Sequence, residues 1–470
     1  MSGSSSSLRC WLDVPTRDRP RARYALEMLL APLGIHPEWV DQADLEKEPL
    51  LYYGATPPAE ASAVMPYAPG AWDRLQVRTP LDPAAVAEVR WDGECWPLPF
   101  GTAVAPDLLA SSFYWLSGWQ EGVQRARDTV GRVRHVDTLQ AALGTTVRPA
   151  VDAYRELLAT WLSEAGVPVV RRTWGSARWA LCPTHDIDYL RKWRPGIVLR
   201  EAVLYPLLNL RGVPMGQRLR RLGASARQAW QPGDPCRHAF ERMHAEVARR
   251  GGTATYFIKA GAHGPYDVAY ATEDAYLQRR LEALRADGFE VGLHPSFHAH
   301  THAAYLKAER EALAAAVGAP VTSVRQHYLR YQGPLTSRLQ AAQGFTVDST
   351  LGFAEHEGFR HGTCHPFRVY DLERDQPLPI WEYPLAVMES TLFNRRHLDL
   401  KAAIAATEEV LRQCQRFGGV AVMLWHNTLW DELDYPGWGA HFLATLDAAT
   451  ARGGRVLSLA EAHRSLRHAS

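Results

Sequence analysis

Two carboxylates one residue apart close an apolar run in the middle of the chain, Cys182-Pro183-Thr184-His185-Asp186-Ile187-Asp188-Tyr189. Side chains on an extended segment alternate faces, so Asp186 and Asp188 project to one side, about 7 Å apart along the backbone. Such a pair suits a hard-oxygen cation site, or a base held beside a ligand. Taken alone, D-x-D reads more readily as a capping aspartate with a solvated neighbour. A second run ends in Gly292-Leu293-His294-Pro295-Ser296-Phe297-His298-Ala299-His300-Thr301-His302. His294 and His298 are four apart, so one turn of helix would bring both imidazoles to one face, where they could share a metal. Nineteen histidines produce some pairs at this spacing by chance; what singles this one out is its place directly after a strand candidate. His300 and His302 read as solvated loop or helix-start residues.

Three more apolar runs end in complementary groups: Arg325 in Val324-Arg325-Gln326-His327-Tyr328, Asp348 in Val347-Asp348-Ser349-Thr350, and His426 in Met423-Leu424-Trp425-His426-Asn427. A guanidinium can orient a carboxylate base, and a carboxylate can keep an imidazole protonated as a general acid. Singly, each reads as a structural salt bridge, a turn cap or a satisfied core histidine. Together, on five strand ends, they are a poor accident.

Groups on separate strand ends need a frame that gathers those ends. From Arg178 onward short apolar runs alternate with helical patterns, the signature of βα units on a parallel sheet. The strand candidates are Trp179–Pro183, Thr253–Ile258, Phe289–Leu293, Ser323–Gln326, Phe345–Val347, Ile380–Tyr383, Val420–Trp425 and Val456–Leu459. Eight suit a barrel better than an open sheet, and in a β/α barrel reacting residues sit where strands end. Between them, Leu277, Leu281 and Leu284 define one helix face before Gly288, and Leu400, Ile404, Leu411 and Cys414 another between an Asp399 cap and Gly418. Residues 1 to about 170 hold a helix at Tyr24–Leu33, a strand-like run at Leu50–Tyr53, a helix at Pro106–Gly122 and an amphipathic Val151–Ala165, with no catalytic motif. The expected fold class is α/β: a smaller α/β accessory domain over 1–170, then a (β/α) barrel over 171–470.

The 470 residues carry 52 Lys+Arg against 51 Asp+Glu, a net charge of +1, and 46% are hydrophobic against 22% charged. Those proportions exclude a mainly disordered chain and give no global field for nucleic acid. Six scattered cysteines without a CxxC pair read as free thiols of a reducing compartment. The polar start MSGSSSSLRC has no apolar signal core and no window reads as a membrane span, so a cytoplasmic protein is expected.

The ordered set THDID, HPSFH after a Gly-Phe-Glu-Val-Gly-Leu strand, VRQHY, VDST and LWH resembles the motifs of the polysaccharide deacetylase family (NodB homology, carbohydrate esterase family 4) over about Arg178 to Leu459. The resemblance implies a distorted (β/α) barrel that hydrolyses N-acetyl or related amides of a carbohydrate or amino-sugar substrate. It also implies a divalent metal, zinc foremost with cobalt, manganese or nickel as alternatives. Carried over, Asp186 is the base, Arg325 its orienting partner, His426 the acid and Asp348 the partner of His426; Asp188, His294 and His298 are the metal ligands. Substrate contacts fall to Tyr328, His327 and Trp425. The chain departs from the family in two places: Ile187 separates the usually adjacent aspartates, so that Asp186 and Asp188 could exchange roles, and His327 stands in a third motif without its usual proline.

Residues 191–250 form an insertion before the next strand, far longer than the usual βα connection. Within 191–230, Arg191, Lys192, Arg194, Arg200, Arg211, Arg218, Arg220, Arg221 and Arg227 face only Glu201, with Leu204, Leu207, Leu208 and Leu210 interleaved. The bland reading is a solvated helix face; the functional one is contact with an anionic substrate or with a membrane at its inner face. Two other classes compete with an amide hydrolase. One is a D-x-D magnesium phosphatase, which leaves the histidines without work; the other is a degenerate barrel binding glycan through Trp425, Trp430 and Trp438.

Overall fold

In the computed structural model, which describes residues 6–41, 49–204 and 214–467, four short N-terminal runs pair in parallel. They are β1 (Ser6–Asp13), β2 (Ile35–Trp39), β3 (Leu50–Gly54) and β4 (Ala63–Met65), in the order β2-β1-β3-β4. The helix Arg19–Leu30 carries the chain from β1 to β2, as parallel pairing requires. An antiparallel hairpin follows, β5 (Ala87–Trp91) with β6 (Glu94–Leu98). The helix expected over Pro106–Gly122 is interrupted. Asp107 caps Leu108–Leu116 by accepting from the Ala110 N–H, and Gly118 at φ 66° separates that helix from Trp119–Val123. Leu108–Leu116 is buried at every position, so it is a central helix packed all round.

Ten strands build the larger sheet: β7 (Ala180–Ile187), β8 (Thr255–Ile258), β9 (Glu290–Leu293), β10 (Ser323–Val324), β11 (Val347–Asp348), β12 (Phe367–Asp371), β13 (Gln376–Glu382), β14 (Leu385–Met388), β15 (Val420–Leu424) and β16 (Arg455–Val456). The order is β12-β13-β11-β10-β9-β8-β7-β15-β14, with β16 against the start of β7, and only β12–β13 is antiparallel. All eight residues of β7 are buried; its first half reads as an apolar run, and its second half buries Thr184, His185 and Asp186. The strand candidates overlap observed strands; β12 and β14 are additional.

The barrel expectation needs one correction. The sheet curls but stays open, because β12 and β14 end the order and no described pairing joins them. The N-terminal helices cover the β12 edge: Tyr24 donates its hydroxyl to the Arg368 carbonyl at 2.7 Å, and the Tyr24 and Phe113 rings lie 4.7 and 5.0 Å from Tyr370. A covered edge no longer invites a further strand.

The helix Ala275–Ala286, capped by Asp274, buries Leu277, Leu281 and Leu284 as their spacing predicts. The helix Leu400–Phe417 has its expected Asp399 cap, but its buried side is Ala403, Thr407, Val410, Leu411 and Cys414, while Leu400 is exposed. Among the described residues no helix is long and apolar enough to cross a membrane.

One hydrophobic core runs through both parts of the chain, and a buried ion pair crosses it. Arg360 donates from Nε and Nη2 to Glu121, each at 2.6 Å, and from Nη1 to the Gly352 carbonyl at 3.0 Å. Glu121→Ala would leave that guanidinium buried and uncompensated. We expect the variant to lose about 3 kcal/mol in urea unfolding, in the range for broken buried pairs; an unchanged midpoint would show that the clamp contributes nothing.

Candidate active site

Alternation along β7 decides where its side chains point. Thr184 and Asp186 share one side, where both meet the Arg325 guanidinium: Nη1 lies 2.5 Å from Thr184 Oγ1 and 3.4 Å from Asp186 Oδ1. His185 takes the other side, packed on Tyr256 and Phe442. Asp188, just past the strand, joins Asp186. Its Oδ1 is 3.5 Å from Nε2 of His294 and 3.5 Å from Nε2 of His327, and its Oδ2 is 3.8 Å from Nε2 of His426. Asp186 Oδ2 is 3.6 Å from the same His294 nitrogen. The ends of β7, β9, β10 and β15 thus bring two carboxylates and three imidazoles together.

His298 is not part of that group. The expected helical turn from His294 does not form: Pro295 disfavours helical backbone at the residue before it, and no helix begins until the short turn Ala299–Thr301. His298 lies in a turn, its ring against Phe297 and His302. The second imidazole beside Asp188 is His327, which sequence reasoning had assigned to substrate. Among the described residues, Asp188, His294 and His327 form one of two clusters able to hold an ion. The other, Asp152 with Cys364 and His365, has its carboxylate engaged by Arg155 at 2.7 Å, Thr363 at 2.6 Å and the Cys364 N–H at 2.8 Å, and the guanidinium opposes a cation there.

The first cluster fits a divalent metal on three counts. Ligand atoms around a tetrahedral ion with bonds of about 2.0–2.1 Å lie about 3.4 Å apart, close to the 3.5 Å spacings of Asp188 from both imidazoles. Asp188 Oδ1 is buried and has no hydrogen-bond partner. Finally, both imidazoles are oriented through their other nitrogen. His294 Nδ1 meets the Arg325 carbonyl at 2.7 Å, and His327 Nδ1 meets Asp267 Oδ1 at 2.8 Å. Both bonds are made by protonated Nδ1, which leaves each Nε2 a lone pair aimed at the site, the usual support of a histidine ligand. Asp267 is itself fixed by Lys259 Nζ at 2.9 Å and by the Phe297 N–H at 2.9 Å.

The charge states agree with these roles. Burial alone would raise the Asp188 carboxyl, but the three imidazoles around it, His294 first and then His327 and His426, hold it well below the usual carboxylate range. Burial keeps the His327 imidazole below its ordinary value, so it favours the neutral ligand form despite Asp267. Burial would also depress His426, yet the Glu389 charge overrides it and pushes the imidazolium up to about 10. Glu389 Oε1 accepts from His426 Nδ1 and, at 3.1 Å, from the His426 N–H.

Glu389 therefore stands where Asp348 was expected. In the sheet β11 and β15 are separated by β10, β9, β8 and β7, whereas β14 adjoins β15, so the carboxylate that reaches His426 comes from the end of β14. Pro384 after Tyr383 closes the preceding apolar run in the sequence and hides that strand. Asp348 pairs in register with Glu382 instead, accepts from the Thr350 hydroxyl, and is pushed up to about 6 by burial. Trp425 is also corrected. Alternation that turns His426 toward the site turns Trp425 away, and its fully buried ring packs on Trp430, His441 and Phe442; Trp430 is buried and Trp438 stacks on Phe393 at 4.3 Å.

Tyr328 forms part of the rim, 40% exposed, beside Tyr266 and Phe297 at 5.3 and 5.7 Å between ring centroids. Tyr328 and Leu329 are consecutive left-handed residues, φ 61° and 53°, a conformation that costs about 1–3 kcal/mol at a non-glycine position. The N-terminal part helps hold it: Arg132 donates to the Tyr328 carbonyl at 3.1 Å, and Arg330 bridges the Val130 and Phe297 carbonyls at 2.9 and 2.7 Å.

Residues 12–166 match the model of a family of unknown function, DUF7033. No curated protein matches the chain. Among solved structures, it is similar to a putative polysaccharide deacetylase from Mycobacterium smegmatis, with 16% identity, 62% of this chain and 91% of that one covered, and a TM-score of 0.41. A Puue allantoinase follows at 14% identity, 63% and 91% coverage and a TM-score of 0.39. A family 4 carbohydrate esterase from Streptomyces lividans, solved with acetate, shows 13% identity, 60% and 93% coverage and a TM-score of 0.31.

Asp267→Asn keeps the side-chain shape but removes the charge that orients His327. We expect about 10–100-fold weaker divalent-metal binding in calorimetric titration of the metal-stripped protein; wild-type affinity in the variant would remove His327 from the ligand set.

Proposed function

We propose that the protein is a metal-dependent hydrolase of the polysaccharide deacetylase type, cleaving a non-peptide amide, foremost the N-acetyl group of an amino sugar in a glycan or glycan precursor. The observation that carries this reading is the meeting of Asp188, His294 and His327 between a carboxylate, Asp186, and a cationic imidazole, His426. Two imidazoles and a carboxylate favour zinc among divalent cations, with cobalt, manganese or nickel as alternatives. Bound there, the metal would polarise the amide carbonyl and lower the pKa of water.

The chain's own groups supply the rest. Asp186, oriented by Arg325, takes a proton from water as the water oxygen bonds to the carbonyl carbon. His426, kept as imidazolium by Glu389, gives its proton to the nitrogen as the C–N bond breaks, so that a carboxylate and an amine leave. The Tyr266 and Tyr328 rings at the rim offer apolar faces for a sugar ring. An aspartyl-nucleophile phosphatase would leave His294, His327 and His426 idle.

Two experiments test the roles. His294→Ala should lose the metal measured in the purified protein, whereas His426→Ala should keep it and lose turnover in an acetate-release assay on N-acetylated amino sugars; normal deacetylation by either variant would sink the scheme. With its pKa pushed up to about 10, His426 is the charged acid at neutral pH, and turnover should fall only as the pH rises through that value. Glu389→Gln should move this alkaline limb to lower pH, and an unshifted profile would take Glu389 out of the proton transfer.

A further inference from the structure

The helix Met215–Trp230, in the long connection after β7, is amphipathic in the inverted sense. Arg221, Ser225 and Gln228 lie at i, i+4 and i+7 on one side, and that polar side faces the protein. Arg221 Nε meets Glu201 Oε2 at 2.9 Å and its Nη2 pairs with Asp434; Ser225 donates to Glu201 at 2.9 Å and Gln228 to Asp431 at 2.7 Å. Lys192 closes the network on Asp431 and, at 3.0 Å, on Asp434. The apolar positions Met215, Leu219, Ala226 and Trp230 recur at helical spacing on a different side and point outward. Met215 and Leu219 are each 56% exposed and Trp230 is 89% exposed. Val198, Leu199, Val203 and Leu204 of the stretch before it are exposed as well; of the segment noted in the sequence, Leu207, Leu208, Leu210 and Arg211 lie outside the described residues.

A surface helix of a globular domain ordinarily turns its apolar side to the core. Here the inward side is held by ion pairs and hydrogen bonds, so the outward stripe is left for something other than this chain's core. The charges beside it indicate what. Arg220 and Arg227, seven apart, lie exposed along one border of the stripe, with no ion-pair partner among the described residues, and the helix contains no acidic residue. A second copy of the chain would bring the same cationic border against this one, which disfavours pairing. A surface that is apolar below and anionic above satisfies both features, and apolar side chains with a basic border are how helices lie in a lipid headgroup region.

We propose that Met215–Trp230 docks the protein on an anionic membrane surface, with Met215, Leu219 and Trp230 entering the headgroup boundary and Arg220 and Arg227 on the lipid phosphates. The connection that carries the helix leaves β7 directly after Asp188, so docking puts the mouth of the site beside the lipid; the proposal stands whether or not the site hydrolyses amides. The full chain should co-sediment with vesicles of phosphatidylcholine and phosphatidylglycerol and not with phosphatidylcholine alone. Arg220→Gln with Arg227→Gln should weaken binding about thirtyfold at low salt, at about 1 kcal/mol per basic residue, and Leu219→Glu with Trp230→Glu should abolish it while the thermal midpoint is unchanged, since these side chains are exposed. Failure to sediment with anionic vesicles would overturn the proposal. So would a concentration-dependent dimer in light scattering that Leu219→Glu dissolves, which would assign the stripe to a second copy.

Discussion

A carboxylate that stays ionised away from bulk water needs positive or hydrogen-bonding partners on its free sides, and Asp188 is in that position among three imidazoles. The polar architecture around it answers this need. Each imidazole that faces Asp188 through Nε2 is tied down through Nδ1, to the Arg325 carbonyl, to Asp267 or to Glu389. The tethers differ in charge: the carbonyl on His294 is neutral, Asp267 on His327 is already shared with Lys259, and Glu389 is free to hold His426 as a cation. The ring type is constant, and its buried partner decides whether it is suited to hold a metal or give a proton.

The rim of the site depends on chain far away in sequence. Two successive left-handed residues after His327 are unfavourable for a free loop, and Arg132 from the N-terminal part holds the carbonyl of the first. The same part covers the β12 edge and reaches into the core through the Glu121–Arg360 pair. The N-terminal part thereby shapes the loop that carries His327 and Tyr328.

Charge in the insertion is arranged differently from what its composition suggests. Lys192, Arg200 and Arg221 are bound by Glu201, Asp431 and Asp434, so the segment's one acid is joined by two partners from the chain that follows β15. This pairing consumes the polar side of Met215–Trp230 and leaves the apolar side outward, an orientation that no helical periodicity can reveal, because periodicity reports that two faces exist and not which one meets the protein.

By itself the sequence marked eight of the ten strands of the larger sheet and most of the strand ends that carry polar groups; β12, β14 and the Glu389 that follows β14 escaped it. Alternation put Asp186 and Asp188 on one side, and short apolar stretches marked β7, β8, β9 and β15, because both signals are local and each strand must bury its own side chains. What it could not determine were relations between strands. His298 stands four residues from His294 yet is outside the cluster, because Pro295 and the turn it imposes override the spacing; His327, thirty-three positions away, is inside it because β9 and β10 are neighbours. Asp348 lost the partnership with His426 to Glu389 for the same reason, since sheet order places β14 and not β11 beside β15. Local periodicity follows from backbone geometry that every residue carries with it. Which strand ends meet follows from sheet order, set by packing across the whole chain, and only the tertiary structure decides it.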